Sequence, residues 1–454
     1  MTARSNLLVI FGDQHRGEAL GCAGNPDVQT PALDRLAAEG VRFTHAYANT
    51  PVCTPSRGSL LTGQWPHRHR ALSNDLPLDA GPDTPAIARS LRAADYRCGY
   101  IGKWHIGGWP RDRFIPPGPE RLGFDDFWAA WSCAHRYFEP RYHLNDSAVV
   151  VAPTGRYEPE VQTDLALSWL GDHLERHDAQ PFCLFLSYGP PHDPYWPAPP
   201  GLADRYRPES LHLRPNCPDT PEIRRDLAGY YAHITALDAQ IERLLSFLRD
   251  GGVLDDTLVV FTSDHGDMLG SHGRRNKQVP WEESVNIPLL MRLGNRLPQG
   301  TTDDLLIGLV DAAPTILGLL GLPVPAAMQG TDLSDAIRGR GGARPTSVYL
   351  QEAISCDQAV QVGVETWRGV RTARYTYARD LNGPWVLYDN VADPFQMHNL
   401  AGDPTVDSLQ AALETELQDW MERLDDPLEE PAAILARHGL TEAWAAREAH
   451  FRRG

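Results

Sequence analysis

Three uninterrupted apolar runs constrain the fold of this chain more than any other feature. They occupy residues 6–12 (NLLVIFG), 182–187 (FCLFLS) and 257–262 (TLVVFT). Strands buried on both faces of a parallel sheet have this continuous apolar character, because helices cover the sheet on each side. Residues 41–48 and 97–101 are strand-like as well.

Helical patterns separate these strands. They cover residues 30–39, residues 83–94 with Asp83 as the N-cap, and residues 161–176. A longer helix is indicated by apolar side chains that recur every three or four positions from Ile223 to Leu248. Strands that alternate with helices predict an α/β fold with a mostly parallel central sheet flanked by helices.

The sequence changes character near residue 345. A Gly- and Arg-rich stretch precedes short aromatic-rich segments, which predict antiparallel strands with a turn at Asn382-Gly383. These segments are residues 347–350, 368–372, 375–378 and 385–388. We expect a helix over residues 408–424 to pack on them and the last thirty residues to form a helical tail. The chain is therefore predicted to contain two domains, residues 1–345 and residues 346–454.

Composition narrows the classes of partner. The 454 residues include 42 Lys and Arg against 59 Asp and Glu, a formal charge of −17, which argues against nucleic acid as a partner. Seven cysteines are too few, and odd in number, for a disulfide framework. The apolar run from Leu7 to Phe11 is too short for a signal peptide or a membrane span. We expect a cytoplasmic protein with no membrane partner; the sequence does not indicate its oligomeric state.

Polar side chains follow two of the predicted buried strands at the point where each strand ends. Asp13 and Gln14 follow the first, and Asp264 and His265 follow the third. Ligands of open α/β sheets bind beyond the carboxyl ends of the strands. Two carboxylates, an amide and an imidazole at this edge suit Ca²⁺ or Mg²⁺, while the imidazole leaves Mn²⁺ or Zn²⁺ open. The alternative is that both Asp residues cap loops or helices.

The most specific segment of the chain is residues 53–63, CTPSRGSLLTG. Cys53 stands at the start of a predicted helix that Gly63 ends, where the helix dipole favours a thiolate. Arg57 follows one turn later and offers a bidentate grip on an oxyanion. An anion-binding nucleophile fits this arrangement, and so does a buried cysteine beside a structural arginine.

This segment resembles the type I sulfatase signature, C-x-P-S-R-x-x-x-L-T-G, at every specified position. Two further segments, GKWH at residues 102–105 and PHDPY at residues 191–195, are similar to segments of that family. The resemblance implies an alkaline-phosphatase-like fold, in which a smaller C-terminal α+β subdomain contains an antiparallel sheet. It also implies a sulfuric ester hydrolase.

The resemblance further implies the chemistry of the site. In this family a maturation enzyme oxidises the signature cysteine, here Cys53, to formylglycine, and the hydrated aldehyde attacks sulfur. One divalent cation accompanies it, with Ca²⁺ as the first choice and Mg²⁺ or Mn²⁺ as alternatives. Four side chains are implied as its ligands: Asp13, Gln14, Asp264 and His265.

Five more residues receive roles from the matching segments. Arg57 and Lys103 are expected to hold the formylglycine oxygens and the anion. His105 is the expected base of the second step. His192 and Lys277 are expected to bind sulfate and to assist the leaving group.

The alcohol part of the substrate is not fixed by these motifs. Sulfated sugars, aryl sulfates and alkyl sulfates all fit a small-molecule sulfate ester. Three residues are candidates for substrate binding: Asn74, His69 and His272. Two alternatives remain open, a phosphonate monoester or phosphodiester hydrolase on the same scaffold and a catalytically inactive homologue that binds sulfate esters.

Overall fold

A ten-stranded mixed sheet forms the centre of the larger part of the chain. The computed structural model describes residues 4–176 and 180–451. Its strands, numbered in chain order, are β1 (Asn6–Asp13), β2 (Val41–Phe43), β3 (Ala46–Tyr47), β4 (Arg97–Lys103), β5 (Phe127–Trp131), β6 (Tyr142–Leu144), β7 (Val150–Val151), β8 (Phe182–Pro191), β9 (Thr257–Ser263), β10 (Leu289–Arg292), β11 (Thr301–Asp303), β12 (Ile307–Gly308), β13 (Ser347–Glu352), β14 (Trp367–Thr372), β15 (Tyr375–Asp380) and β16 (Gly383–Asp389).

The helices surround this sheet and connect its strands. They are α1 (Pro31–Ala38), α2 (Cys53–Thr62), α3 (Pro66–His69), α4 (Ile87–Ala93), α5 (Glu158–Glu175), α6 (Pro221–Asp250), α7 (Glu282–Val285), α8 (Ala312–Leu319), α9 (Ser334–Ile337), α10 (Gln358–Gln361), α11 (Asp407–Leu424), α12 (Pro431–Arg437) and α13 (Thr441–Phe451). None of the described helices is long and apolar enough to cross a membrane.

Five adjacent strands form the parallel centre of the large sheet, in the order β9, β1, β8, β4 and β5. On one side β10 pairs antiparallel with β9 and with β2, and β11 then pairs parallel with β2. On the other side β6 and β7 add antiparallel strands. This arrangement confirms the predicted α/β fold with a mostly parallel sheet.

Strand β1 explains why the apolar runs are continuous. Leu7, Val9 and Phe11 enter the core on one face of the sheet, where α2, α4 and α8 cover it. Leu8 and Ile10 enter the core on the opposite face, under α1, α5 and α6. All five side chains are at most 1% exposed. Because both faces are buried, neither set of alternate positions tolerates polar residues.

The C-terminal part contains the predicted antiparallel sheet, in the order β13, β14, β15 and β16. Helix α11 packs on it, with Trp420 stacked on Tyr349 at a centroid distance of 5.9 Å. The predicted helical tail is observed as α12 and α13, while residues 452–454 lie outside the described residues. All seven cysteines are free.

Two local predictions are wrong. Residues 41–48 form two strands, because β2 pairs with β10 and β11 in the large sheet, whereas β3 pairs with β12 in a separate two-stranded sheet. Asp83 does not cap α4, which begins four residues later at Ile87. The Arg89 guanidinium donates to the carbonyl oxygens of residues 81 and 84, which holds that segment as a turn.

Replacing Leu8 with Ala should lower the free energy of unfolding by about 2–5 kcal/mol, because a fully buried side chain leaves a cavity between the sheet and its helices. Val149→Ala is the control, since that side chain is 70% exposed. Thermal unfolding of the two variants measures the difference. Equal unfolding midpoints would contradict a core on both faces of β1.

Candidate active site

The register of the sheet brings two carboxylates together. Gly12 of β1 pairs with Ser263 of β9, so Asp13 and Asp264 leave the same edge side by side. Gln14 follows in the left-handed backbone region, with φ of 67°, and its N–H donates to Asp264 Oδ1 at 3.1 Å. A side chain rarely adopts this conformation without tertiary support, and such residues cluster at functional sites.

Helix α2 presents Cys53 to these carboxylates from its first turn. The Cys53 Sγ atom lies 3.2 Å from His265 Nε2, 3.5 Å from Lys103 Nζ and 3.9 Å from Asp13 Oδ1. Ligand atoms of Asp13, Cys53, Asp264 and His265 all lie within 4.8 Å of one another, and all four residues are buried.

Arg57, one turn further along α2, lies beneath the two carboxylates. Its Nε donates to Asp264 Oδ2 at 2.9 Å and its Nη2 to Asp13 Oδ2 at 3.2 Å. Its Nη1 donates to the carbonyl oxygen of Lys103 and to the hydroxyl of Ser187. Every nitrogen of the guanidinium is thus hydrogen-bonded to another group of the protein. The side chain is also fully buried, so none of its nitrogens faces the cleft.

The cations around Asp13 and Cys53 set the pKa values of these two groups. Burial alone would raise the pKa of Asp13, but Lys103, His192 and Arg57 hold it well below its usual range. Burial and Asp13 would likewise raise the pKa of the Cys53 thiol, whereas Lys103 and Lys277 hold it well below the usual value. The site is built to hold negative charge at position 53.

The donor set fits a hard divalent cation. Asp13 and Asp264 offer carboxylate oxygens, His265 offers Nε2, and the Gln14 amide oxygen accepts a hydrogen bond from Lys277. Oxygen-rich ligation with one imidazole is compatible with Ca²⁺, Mg²⁺ or Mn²⁺. Arg57 pairs with the Oδ2 atoms of both carboxylates, whereas the Oδ1 atoms of Asp13 and Asp264 each lie 3.7 Å from His265 Nε2. These three atoms would hold the cation.

A second network surrounds His105. Its Nε2 lies 3.2 Å from Asp75 Oδ1, and Arg111 binds the same carboxylate with two hydrogen bonds of 2.7 Å. Burial alone would lower the pKa of His105, whereas Cys133 and Asp75 raise it to about 10. His105 also lies in the left-handed backbone region, with φ of 57°. Because its pKa is raised above 7, His105 holds a proton at neutral pH.

On the other side of Cys53, Lys277 Nζ lies 2.8 Å from His192 Nε2. Burial, His135 and Lys277 hold the pKa of His192 well below its usual value. Burial alone would lower the pKa of Lys277, but Cys53 and Asp13 raise it. The pair thus consists of a protonated lysine and a neutral histidine that accepts its hydrogen bond. The ring of His135 stacks on His192 at 3.9 Å.

These groups open into a cleft of about 730 Å³. Cys53, Asn74, His105, His192 and Lys277 line it, so the structure brings together most of the predicted site.

Two candidate substrate-binding residues lie elsewhere. His69 is completely buried against Ser59, and a Cβ at Gly58 would stand 2.6 Å from its ring. His272 stacks on Trp281 and is not among the residues that line the cleft. Their substrate-binding role remains a prediction that this placement does not favour.

Part of the cleft wall consists of residues that belong to none of the sequence motifs. The unpredicted lining residues share no contiguous motif, and they include Arg111, Cys133, His135, Asp357, Trp444, Arg447, Glu448 and Phe451. One signal was available in the sequence, because residues 444, 447, 448 and 451 recur at the spacing of a single helix face.

Comparison with known proteins decides the family. The sulfatase family matches residues 5–322, and the C-terminal family of N-sulphoglucosamine sulphohydrolase matches residues 270–423. The chain belongs to the sulfatase family. It is 39% identical to an ulvan-active sulfatase of Formosa agariphila over 431 residues, which cover 93% of this chain and 82% of that protein. This sulfatase therefore hydrolyses sulfate esters. The division at residue 345 remains a prediction.

Solved structures agree with this fold. The Bacteroides fragilis protein yidJ superposes with a TM-score of 0.84 at 30% identity, covering 94% of this chain and 97% of that chain. A structure described as a complex with its substrate D-glucosamine-2-N,6-O-disulfate has a TM-score of 0.77 at 25% identity, covering 93% and 98%. The alkaline-phosphatase-like fold with its antiparallel C-terminal sheet is confirmed.

Replacing Asp75 with Asn should lower the free energy of unfolding of the sulfatase by about 3–5 kcal/mol at neutral pH, because buried cationic partners lose their counter-charge. Burial alone would raise the pKa of Asp75, but His105 and Arg111 hold it well below its usual range. The carboxylate therefore stabilises the fold above the unfolded-state pKa of about 3.9, and this contribution is lost as the pH falls. His105 has the opposite sign: its contribution is full below about pH 6.5 and lost as the pH rises through its raised pKa.

Thermal unfolding across pH measures this effect. The midpoint difference between D75N and the unaltered enzyme should shrink from neutral pH towards pH values below the unfolded-state pKa. Glu139→Gln is the control, since Glu139 pairs with Arg136 on the surface at 3.4 Å and exposed pairs contribute little. A D75N midpoint equal to that of the control at neutral pH would contradict the role of Asp75.

Proposed function

We propose that this enzyme removes sulfate from a sulfated saccharide, using formylglycine formed from Cys53 and a Ca²⁺ ion. The position of Cys53 Sγ carries the proposal, because it lies among two carboxylates, the imidazole of His265 and the ammonium group of Lys103. Attack on the sulfur of a sulfate ester needs positive charge close to the sulfuryl oxygens, and Lys103 and Lys277 supply it here.

Names of related proteins support a saccharide substrate. The relative from Formosa agariphila is named for activity on ulvan, and another relative, 29% identical, is named an endo-4-O-sulfatase of Bacteroides thetaiotaomicron. The cleft volume of about 730 Å³ falls within the roughly 300–1,000 Å³ of pockets that enclose small molecules. The cleft thus has room for a group larger than the sulfate itself.

Each cation has a distinct task in this proposal. Lys103 contacts Asp13 and Cys53 Sγ, so it neutralises oxygen charge at position 53. Arg57 positions the carboxylates of Asp13 and Asp264 instead of gripping the substrate anion. The bound cation would polarise a sulfate oxygen and lower the pKa of the attacking hydroxyl.

The leaving alcohol requires a proton, because an alkoxide is a poor leaving group. Lys277 holds a proton at 2.8 Å from the neutral His192, and both line the cleft. We assign proton delivery to this pair. His105 begins the reaction protonated, which favours a role as a donor to the sulfate oxygens over the role of base implied by the resemblance.

Replacing Cys53 with Ala should reduce sulfate release by at least about a thousand-fold, because the attacking group is absent. Intact-mass measurement of the active enzyme should show an aldehyde in place of the CH₂SH group at position 53. Cys22→Ala, which removes a remote thiol, should keep full activity.

The assay should include an aryl sulfate beside an aryl phosphonate ester. Full activity with an unmodified Cys53, or preference for the phosphonate ester, would overturn the proposal.

Removal of divalent cations with EDTA should abolish sulfate release, and Ca²⁺ should restore it more fully than Mg²⁺, Mn²⁺ or Zn²⁺. A second readout is thermal stability, because a ligand that binds only the folded state at 100 times its dissociation constant adds about 2.7 kcal/mol. Asp264→Asn should remove most of the Ca²⁺-dependent rise in the unfolding midpoint. An EDTA-treated enzyme with full activity would contradict the metal site, and stronger restoration by Mn²⁺ would correct its identity.

A further inference from the structure

One face of the C-terminal helix α13 forms a wall of the active-site cleft. Trp444, Arg447, Glu448 and Phe451 all line the cleft together with Cys53. Their spacing of three, one and three residues places them on one side of a helix. Residues on the other faces, such as Glu442, are exposed to solvent. The wall and the nucleophile come from segments almost 400 residues apart in the sequence.

Arg447 fixes this helix on the catalytic part of the chain. It is 1% exposed, and its Nε lies 3.1 Å from the carbonyl oxygen of Asn74 and 3.3 Å from Asp75 Oδ2. Asn74 Oδ1 in turn accepts from the Thr54 N–H at 3.1 Å, beside Cys53. The wall is therefore held in register with the nucleophile and is preorganised for a substrate.

The same face offers both apolar and polar surface. Phe451 remains 41% exposed, with the guanidinium of Arg447 4.6 Å from its ring centroid. The carboxylates of Glu448 and Asp357 are about one-third exposed and also line the cleft. A carboxylate has about four lone-pair sites, so both acids can accept further hydrogen bonds from hydroxyl groups. An aromatic ring beside such acceptors is complementary to a sugar.

Charge at this end of the cleft selects the kind of sugar. Arg111 is committed to Asp75 by two hydrogen bonds, and Arg447 is paired with Asp357 and Glu448. His105, which is protonated, also contacts Asp75, so three cationic groups pair with three carboxylates and no cation is left over for an acidic substituent. A carboxylate or a second sulfate on the ligand would find no unpaired cation here and would face the partly exposed carboxylates of Asp357 and Glu448.

We propose that α13 supplies the subsite for the alcohol part of the ester, and that this part is an uncharged sugar ring. The proposal rests on the proposed function, since the sulfate must lie at Cys53 for the ring to reach α13. Specificity then comes from the C-terminal domain, whereas the sulfate-binding groups come from the strand ends and α2.

The test uses two variants and a matched control in the full-length enzyme. Phe451→Ala removes the exposed ring, and Glu448→Ala removes an acceptor. Glu442→Ala changes an acid on the exposed face of the same helix. Sulfate release is measured from glucose 6-sulfate, galactose 4-sulfate and galactose 6-sulfate as neutral sugars, glucuronate 2-sulfate as the charged sugar, and ethyl sulfate as an ester too small to reach α13.

The enzyme should prefer the best neutral sugar sulfate over glucuronate 2-sulfate. F451A and E448A should each raise KM for that sugar on the order of ten-fold, as expected for loss of one contact in a binding pocket. Their loss of kcat/KM on the sugar should exceed their loss on ethyl sulfate several-fold, and E442A should resemble the unaltered enzyme. Circular dichroism and thermal unfolding establish that the variants are folded.

Failure of this inference differs from failure of the proposed function. Preference for glucuronate 2-sulfate, hydrolysis of ethyl sulfate alone, or equal losses on sugar and ethyl sulfate would overturn the sugar subsite while leaving sulfate-ester hydrolysis intact. Sulfate release from none of the esters by enzyme with verified formylglycine would overturn both.

Discussion

The contact of Arg57 with two buried carboxylates is the interaction on which the site depends. Asp13 and Asp264 are fully shielded from solvent, and each buried charge costs several kcal/mol unless it is paired. The register of β1 and β9 forces the two acids together, so a cation has to lie between them. Arg57 fills that position, and since it belongs to α2, its pairing also fixes where Cys53 stands.

Charged groups of opposite sign surround this centre, with the carboxylates on the metal side and cationic side chains around Cys53. Lys277 lines the cleft beside Cys53, and Lys103 contacts both Cys53 Sγ and Asp13. His105, which also lines the cleft, is held protonated by Cys133 and Asp75. The site is consequently positive where an anionic ester enters and negative where a cation would bind. The acidic net charge of −17 gives no hint of this separation, because it averages over the whole surface.

The predictable part of the fold follows from burial. Strands β1, β8 and β9 were identifiable because two-sided burial demands continuous apolar runs, and α6 because its apolar period is long. The short strands β6, β7, β11 and β12 have two or three residues each, too few for any period to be visible. Their pairing depends on neighbours distant in the chain.

The sequence by itself determined the buried strands of the central sheet, the position of Asp13 and Asp264 at the ends of two of them, and the helix that starts at Cys53, since each follows from local pattern. That these two strands are neighbours, so that the two acids meet, was decided by the tertiary structure. The signature identified the family because it specifies many positions at once. Only the tertiary structure decided that Arg57 faces the carboxylates, that His69 is enclosed, and that α13 lines the cleft. The physical reason is that side-chain partners and cavity walls are set by long-range packing, which leaves no periodic trace in the residues that provide them.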